Sequence, residues 1–193
     1  MYIIFEGIDT CGKSTQIECL KQSRSDAVFT HEPGGTALGK HIREILLEGY
    51  VESDRAEILL FLADRAEHFE NIIKPNLDKT IISDRGFVSG MAYAMANSEI
   101  SFDELLRLNT FALQDTLPEK IVLFITNRET LISRLSQKGN DKIEQRGIEY
   151  LLSVQQFMQE VVHRLRIEYI QIDASDDIEN INKQITNFIW EQK

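Results

Sequence analysis

A chain of 193 residues, 42% hydrophobic and 27% charged, carries enough apolar content for a packed core and too little bias for a disordered or fibrous protein. No apolar run approaches the roughly 20 residues of a membrane span, the chain opens on an apolar strand rather than a signal peptide, and the expected location is the cytoplasm with no membrane partner. A net charge of −10 excludes broad nucleic-acid binding, whose affinity comes mainly from Lys and Arg neutralising phosphates, so a phosphorylated ligand has to meet a local focus of cations. Lys13, Arg43, Arg65, Arg85, Arg134 and Lys138 are the candidates.

The first predicted element is the strand Tyr2 to Phe5, too uniformly apolar for a one-sided strand and suited to a parallel strand covered on both faces, and the four later strand runs read likewise. It runs into Gly7-Ile8-Asp9-Thr10-Cys11-Gly12-Lys13-Ser14, which has the spacing G-x-x-x-x-G-K-S, and then into a helix over Ser14 to Gln22. Glycines permit a sharp turn, successive backbone N–H groups converge on a polyphosphate, Lys13 reaches the outer phosphates and the Ser14 hydroxyl is placed to ligate Mg²⁺. The helix adds its positive dipole end. Asp9 is an unexpected acid among anion-binding amides; it reads either as a turn-stabilising residue or as a carboxylate turned outward to a second substrate. Cys11 and Cys19 match no zinc or redox spacing, and a disulfide between them is not expected.

A second strand over Ala27 to Phe29 precedes His31-Glu32-Pro33-Gly34-Gly35-Thr36, an irregular loop followed by a helix over Leu38 to Leu47 that carries Arg43. Ligands of parallel sheets bind beyond the carboxyl ends of the strands, which makes Glu32, Pro33 and Arg43 either a substrate wall or a plain connector. On the next helix, Ala56 to Ile73, Phe61 and Arg65 lie four residues apart on one face. The pair reads as a base-stacking ring with a hydrogen-bonding guanidinium beside it, or as a core phenylalanine next to a surface arginine paired with Asp64 or Glu57.

The third strand, Thr80 to Ile82, ends at Ser83-Asp84-Arg85, and an acid at this place is where phosphate-loop enzymes set the second carboxylate of their Mg²⁺ site. An unpartnered Asp there is costly to bury, which favours a metal or arginine partner. Arg85 is placed to span donor and acceptor phosphates, and Gly90 and Tyr93 follow on a helix over Val88 to Met95. A helix over Phe102 to Leu113, a strand over Ile121 to Ile125 and a helix over Thr130 to Leu135 come next. Arg134, Lys138, Lys142 and Arg146 then recur every four residues around Gly139-Asn140-Asp141, either as a solvated face or as a cation-bearing lid over a triphosphate. A helix over Ile148 to Leu165, a strand over Tyr169 to Ile172 and a helix over Ile178 to Trp190 complete an alternation that predicts a three-layer α/β domain with a parallel sheet and no internal boundary.

Four motifs read together resemble the thymidylate kinase family, which phosphorylates dTMP to dTDP with MgATP: E-G-I-D-T-C-G-K-S-T at 6 to 15, E-P-G-G-T at 32 to 36, F-L-A-D-R at 61 to 65, and S-D-R with S-G-M-A-Y at 83 to 93. D-K-I-E at 141 to 144 makes a fifth, and the likeness runs to about residue 160. The resemblance implies a single P-loop NTPase domain over 1–193 with a five-stranded parallel sheet, a short lid near 134–146, and a homodimer serving dTTP biosynthesis. It implies ATP-binding by the loop from Gly7 through Ile8, Asp9, Thr10, Cys11, Gly12, Lys13 and Ser14 to Thr15, with Ser14 and Asp84 serving Mg²⁺. Phe61 would stack on thymine, Arg65 would bond its edge, Arg85 supported by Arg43 would hold the acceptor phosphate beside Asp9, and Tyr93 would crowd a ribose 2′-hydroxyl. The catalytic set implied is Lys13, Arg85, Arg134, Lys138 and Asp9.

The chain departs from many relatives at Gly86, where a ring is common, at Gly90 and Ala94, where a polar residue reads the base, at Thr10, where some carry a catalytic Arg, and at Lys138, where Arg is common. Two rival readings differ in chemistry. A deoxynucleoside kinase attacks with a neutral hydroxyl and needs a base, for which Glu32 is the candidate. A nucleotide-dependent switch needs a D-x-x-G spacing that Asp84-Arg85-Gly86-Phe87 lacks.

Overall fold

The computed structural model describes residues 1–136 and 147–191. Five parallel strands form one sheet in the order β2-β3-β1-β4-β5: β1 (Tyr2–Glu6), β2 (Val28–His31), β3 (Ile81–Asp84), β4 (Lys120–Ile125) and β5 (Glu168–Asp173). The helices between them are α1 (Lys13–Ser23), α2 (Ala37–Glu48), α3 (Asp54–His68), α4 (Phe87–Asn97), α5 (Phe102–Ala112), α6 (Arg128–Leu135), α7 (Ile148–Arg164) and α8 (Ile178–Trp190). The expected α/β architecture of a five-stranded parallel sheet flanked by helices is therefore present, and no helix among the described residues is long and apolar enough to cross a membrane.

Alternation along β1 divides the core into two layers. Tyr2 and Ile4 join a cluster with Met91, Val154, Met158 and Val161 on one face, while Ile3 and Phe5 join Ile17, Leu20, Ile181 and Ile185 on the other. Successive side chains of a strand point to opposite faces, so a β1 that is apolar from Tyr2 to Phe5 has to lie between two helical layers. The edge strands depart from the reading of strands covered on both faces: β2 is half-buried and β5 is largely exposed. An edge strand has a neighbour on one side only, and helices cover it less completely.

The helix expected over Ala56 to Ile73 is regular to His68, widens into a π turn over Phe69–Ile73 and ends in a 3₁₀ turn over Lys74–Asn76. Pro75 lacks an N–H and crowds the preceding turn, which ends the regular helix. Both cysteines are free, as expected.

Strand register then gathers the chemistry. Asp84 pairs with Phe5 on one side and with His31 on the other, so the loops after β1, β2 and β3 open side by side at one sheet edge. Chain order reverses between β1 and β3, the place where a parallel sheet leaves a crevice.

Candidate active site

The loop between β1 and α1 is the first wall of the site. Gly12 has φ +91°, and a Cβ at Gly7 would lie 2.7 Å from Cys11 Sγ and 2.9 Å from the Phe124 carbonyl oxygen, so glycine is required at both turns. Lys13 is buried and its ammonium donates to the carbonyls of Gly7 (2.9 Å) and Ile8 (3.0 Å). Its charge is thus held inside the loop that α1 follows, where helix dipole and backbone N–H groups favour an anion.

A cavity of about 820 Å³ lies over this loop, lined on one side by Asp9 to Gln16 and on the other by His31, Glu32, Arg43, Asp84, Arg85 and Arg134. Ala174, Asp176 and Ile178, after β5, close its far end. They belong to the connection from β5 into α8, whose residue types carry no chemical signal in the sequence. Arg134 reaches this cavity from α6: one guanidinium nitrogen donates to the Thr10 carbonyl at 3.0 Å and the other to the Ala174 carbonyl at 2.6 Å. Lys138, Lys142, Arg146 and the D-K-I-E stretch lie outside the described residues.

Asp84 and Ser14 face each other, with Ser14 Oγ 3.5 Å from Asp84 Oδ2. The second carboxylate oxygen of Asp84 is buried with no hydrogen-bond partner among the described residues. A buried acceptor beside a hydroxyl, on the wall of the larger cavity, is a donor set that suits a hard cation such as Mg²⁺. The arginine partnership considered for Asp84 goes elsewhere, because Arg85 bonds Asp9.

Arg85 has φ +67°, a conformation a non-glycine residue seldom adopts, and this turns its side chain back over the loop. One nitrogen donates to the Gly7 carbonyl (2.8 Å) and to Ser89 Oγ (3.1 Å), and the other donates to Asp9 Oδ1 (2.5 Å). Burial works most strongly against the charged guanidinium, but Asp9, Tyr93, Asp84 and Glu6 together outweigh it and the net shift is upward. Ser89 is held in turn by Glu6, a wholly buried acid whose pKa burial raises and which accepts from the Ser89 backbone and hydroxyl.

A second cavity, of about 240 Å³, adjoins the first and shares Asp9, Glu32, Arg43 and Arg85 with it. Phe61 and Arg65 from α3, Gly90 and Tyr93 from α4, Pro33, and the apolar residues Leu46, Leu47 and Val51 complete its lining. The Tyr93 hydroxyl is buried without a hydrogen-bond partner among the described residues, and burial raises its pKa, which keeps it a proton donor. Arg43 donates to the Pro33 carbonyl at 3.0 Å.

Arg65 is not the surface arginine of the alternative reading; it is 3% exposed. Its Nε donates to Glu32 Oε2 at 2.9 Å, Nη1 to Asn109 Oδ1 at 2.6 Å and Nη2 to the Gly86 carbonyl at 3.1 Å. The other Glu32 oxygen lies 2.8 Å from His68 Nδ1, and His68 Nε2 lies 2.6 Å from Thr30 Oγ1. Burial alone would raise the Glu32 pKa; Arg65 and His68 overcome that and hold it below the ordinary value. Asp64, whose pKa burial raises, accepts from the Gly34 N–H at 2.9 Å and pins the E-P-G-G-T loop to α3. Asn109 and His68 carry no sequence signal as site residues, since each lies inside an unremarkable helical stretch.

A glycine-rich loop over a helix N-terminus, a strand-end acid beside a loop hydroxyl, and two cavities joined by an arginine define the class of P-loop kinases. Comparison with known sequences narrows the class. The family described as Thymidylate kinase matches residues 5–185. A thymidylate kinase of Sulfurovum sp. (strain NBC37-1) is 57% identical over 189 residues, covering 98% of this chain and 99% of its own. One of Campylobacter concisus (strain 13826) is 57% identical over 193 residues at 98% coverage of both, and one of Sulfurimonas denitrificans (strain ATCC 33889 / DSM 1251) is 53% identical over 189 residues, covering 98% and 99%. The chain belongs to the thymidylate kinase family.

Proposed function

We propose that the protein transfers the γ-phosphoryl group of ATP to the 5′-phosphate of dTMP, giving dTDP and ADP. The observation that carries this reading is Arg85, tied to Asp9 on the wall common to both cavities, where a guanidinium meets a donor phosphate from one side and an acceptor phosphate from the other. The larger cavity, floored by the phosphate loop, suits MgATP. The smaller, with Phe61 and Arg65 at its depth, suits a nucleoside monophosphate.

The acceptor oxygen needs no strong base, because a phosphate monoester with a second pKa of about 6 is already ionised at neutral pH. Catalysis then consists of holding two anions in line and cancelling their charge. Lys13 and the loop amides hold the donor phosphates, Arg85 with Arg43 holds the acceptor, Arg134 adds a cation from α6, and Lys138 is the further cation that the family resemblance assigns. Ser14 and Asp84 would hold Mg²⁺, which would supply positive charge against the negative charge of the transferred phosphoryl group. Phe61 stacks on the base, Arg65 bonds its edge and Tyr93 fills the space a ribose 2′-hydroxyl needs. Glu32 supports Arg65 rather than acting as a base, since both of its oxygens are already engaged. The hydroxyl-phosphorylating alternative loses its candidate base for this reason.

Two further readings accompany this one. Residues 1–193 act as one cytoplasmic kinase domain with a lid near 134–146. A homodimer forms through α2, α3 and α5, which pack together and expose Ile45 (39%), Leu59 (61%) and Phe111 (84%). Coupled measurement of ADP release across nucleoside monophosphates and thymidine tests the activity: dTMP is expected to be the preferred acceptor, and a preference for AMP, GMP, CMP or thymidine would overturn it.

A further inference from the structure

The geometry points to Asn109, on a helix that lines neither of the two cavities of the site, as the residue that aims Arg65 at the base and thereby helps select a 4-oxo over a 4-amino pyrimidine. The inference rests on the reading that Arg65 meets the base edge, and it follows from a count of hydrogens. A guanidinium has five N–H donors in a fixed plane. The single Nε hydrogen goes to Glu32, and Nη2, at 2.9 Å from Glu32 Oε2 and 3.1 Å from the Gly86 carbonyl, has acceptors for both of its own. Nη1 carries two hydrogens and has one acceptor among the described residues, Asn109 Oδ1 at 2.6 Å. Its second hydrogen is therefore the donor left for a ligand in the cavity that Arg65 lines.

Three features make Asn109 an aiming device. Its own amide is oriented, because Nδ2 donates to the Leu105 carbonyl at 2.7 Å and leaves Oδ1 facing Arg65. It is 3% exposed, so water does not compete for the bond. Finally, the guanidinium lies against Gly90: a Cβ there would stand 3.3 Å from Nη2 and 3.4 Å from Nη1, so a side chain at this position would crowd it. A donor aimed at position 4 of a pyrimidine accepts the carbonyl of thymine or uracil and opposes the amino group of cytosine, which leaves two donors facing each other.

The test compares Asn109→Leu, which removes the acceptor at similar volume, with Asn109→Asp, which keeps it, measuring kcat and KM for dTMP, dUMP and dCMP alongside thermal stability. N109L is expected to raise KM for dTMP and dUMP by roughly tenfold, to change kcat far less, and to narrow the preference over dCMP, while N109D stays within about threefold of the unaltered enzyme. Should N109L fail to fold, Asn109→Gln, which displaces the amide by one methylene, carries the same comparison. An unchanged dTMP-to-dCMP ratio in N109L or N109Q overturns the assignment to Asn109, as does an equal loss in N109D tracking reduced stability. An enzyme that does not prefer dTMP over dCMP at the outset, or keeps its preference in Arg65→Lys, overturns the underlying reading of Arg65 as well, and this distinguishes the two failures.

Discussion

Arg85 Nη2 donates to Asp9 Oδ1 at 2.5 Å across 76 residues of chain, closing the phosphate loop onto the end of β3. The pair explains why an acid stands among anion-binding amides: it steadies the guanidinium that must reach two phosphates and offsets part of its charge when neither is bound. Removing Arg85 (R85A) is expected to lower kcat/KM for dTMP by about 10³-fold or more, the scale of a lost transition-state arginine. Asp9→Asn keeps the size and one acceptor and is expected to cost roughly 10- to 100-fold, the range of one hydrogen bond to a charged group. Steady-state kinetics with saturating MgATP checks both, and equal effects of the two would remove Asp9 from its supporting role.

Arg134 bonds the Thr10 and Ala174 carbonyls, so its charge stands on the donor side of the site. Arg134→Ala is expected to lower kcat far more than it raises KM for dTMP, because the acceptor cavity does not include it. Similar kcat in the two proteins would take Arg134 out of the chemistry.

Tyr93 lines the smaller cavity with its hydroxyl buried and unpartnered among the described residues. Tyr93→Ala is expected to narrow the preference for deoxyribose over ribose monophosphates by about tenfold or more, the discrimination a steric contact supplies. Competition between dTMP and its ribose counterpart reads this out directly.

Glu32 predicts a pH dependence of stability. Its folded pKa is depressed below the ordinary carboxylate value, against burial, by Arg65 and His68. The carboxylate therefore contributes stability that is complete above its unfolded pKa of about 4.3 and is lost as pH falls through the lower folded value. Glu32→Gln is expected to be destabilised by about 3–5 kcal/mol at pH 7, since Arg65 is left buried without its counter-charge. Denaturant unfolding at a series of pH values should show the deficit shrinking below about pH 4; a deficit independent of pH would assign it to packing.

Leu59 and Phe111 are exposed on adjoining helices. Leu59→Glu combined with Phe111→Glu is expected to yield a monomer by sedimentation, and a wild-type monomer at micromolar concentration would set aside the homodimer.

Much of the fold was legible before any coordinates. Strand runs of three to five residues alternate with helical periodicity, and both signals depend on neighbours a few positions away, which is why α8 (Ile178–Trp190) matches its expected bounds. The phosphate loop was equally legible, because its chemistry is written in eight consecutive residues from Gly7 to Ser14. The edge strands were misjudged: an apolar run does not say whether it has neighbours on both sides, and β5 turned out largely exposed.

Residue order alone thus determined a parallel α/β sheet, a phosphate loop at the end of its first strand, and which side chains were chemically able to meet two nucleotides. It left open whether Arg65 was a surface charge, whether Asp84 or Asp9 would take Arg85, and whether a helix remote from both cavities had any part. Those choices fell to the tertiary structure, because the carboxylates that pair with Arg65 and Arg85 lie 33 and 76 residues away along the chain. Burial decides such a competition: an arginine out of water has to spend its donors on whatever acceptors the fold brings within 3 Å, and no local pattern names them.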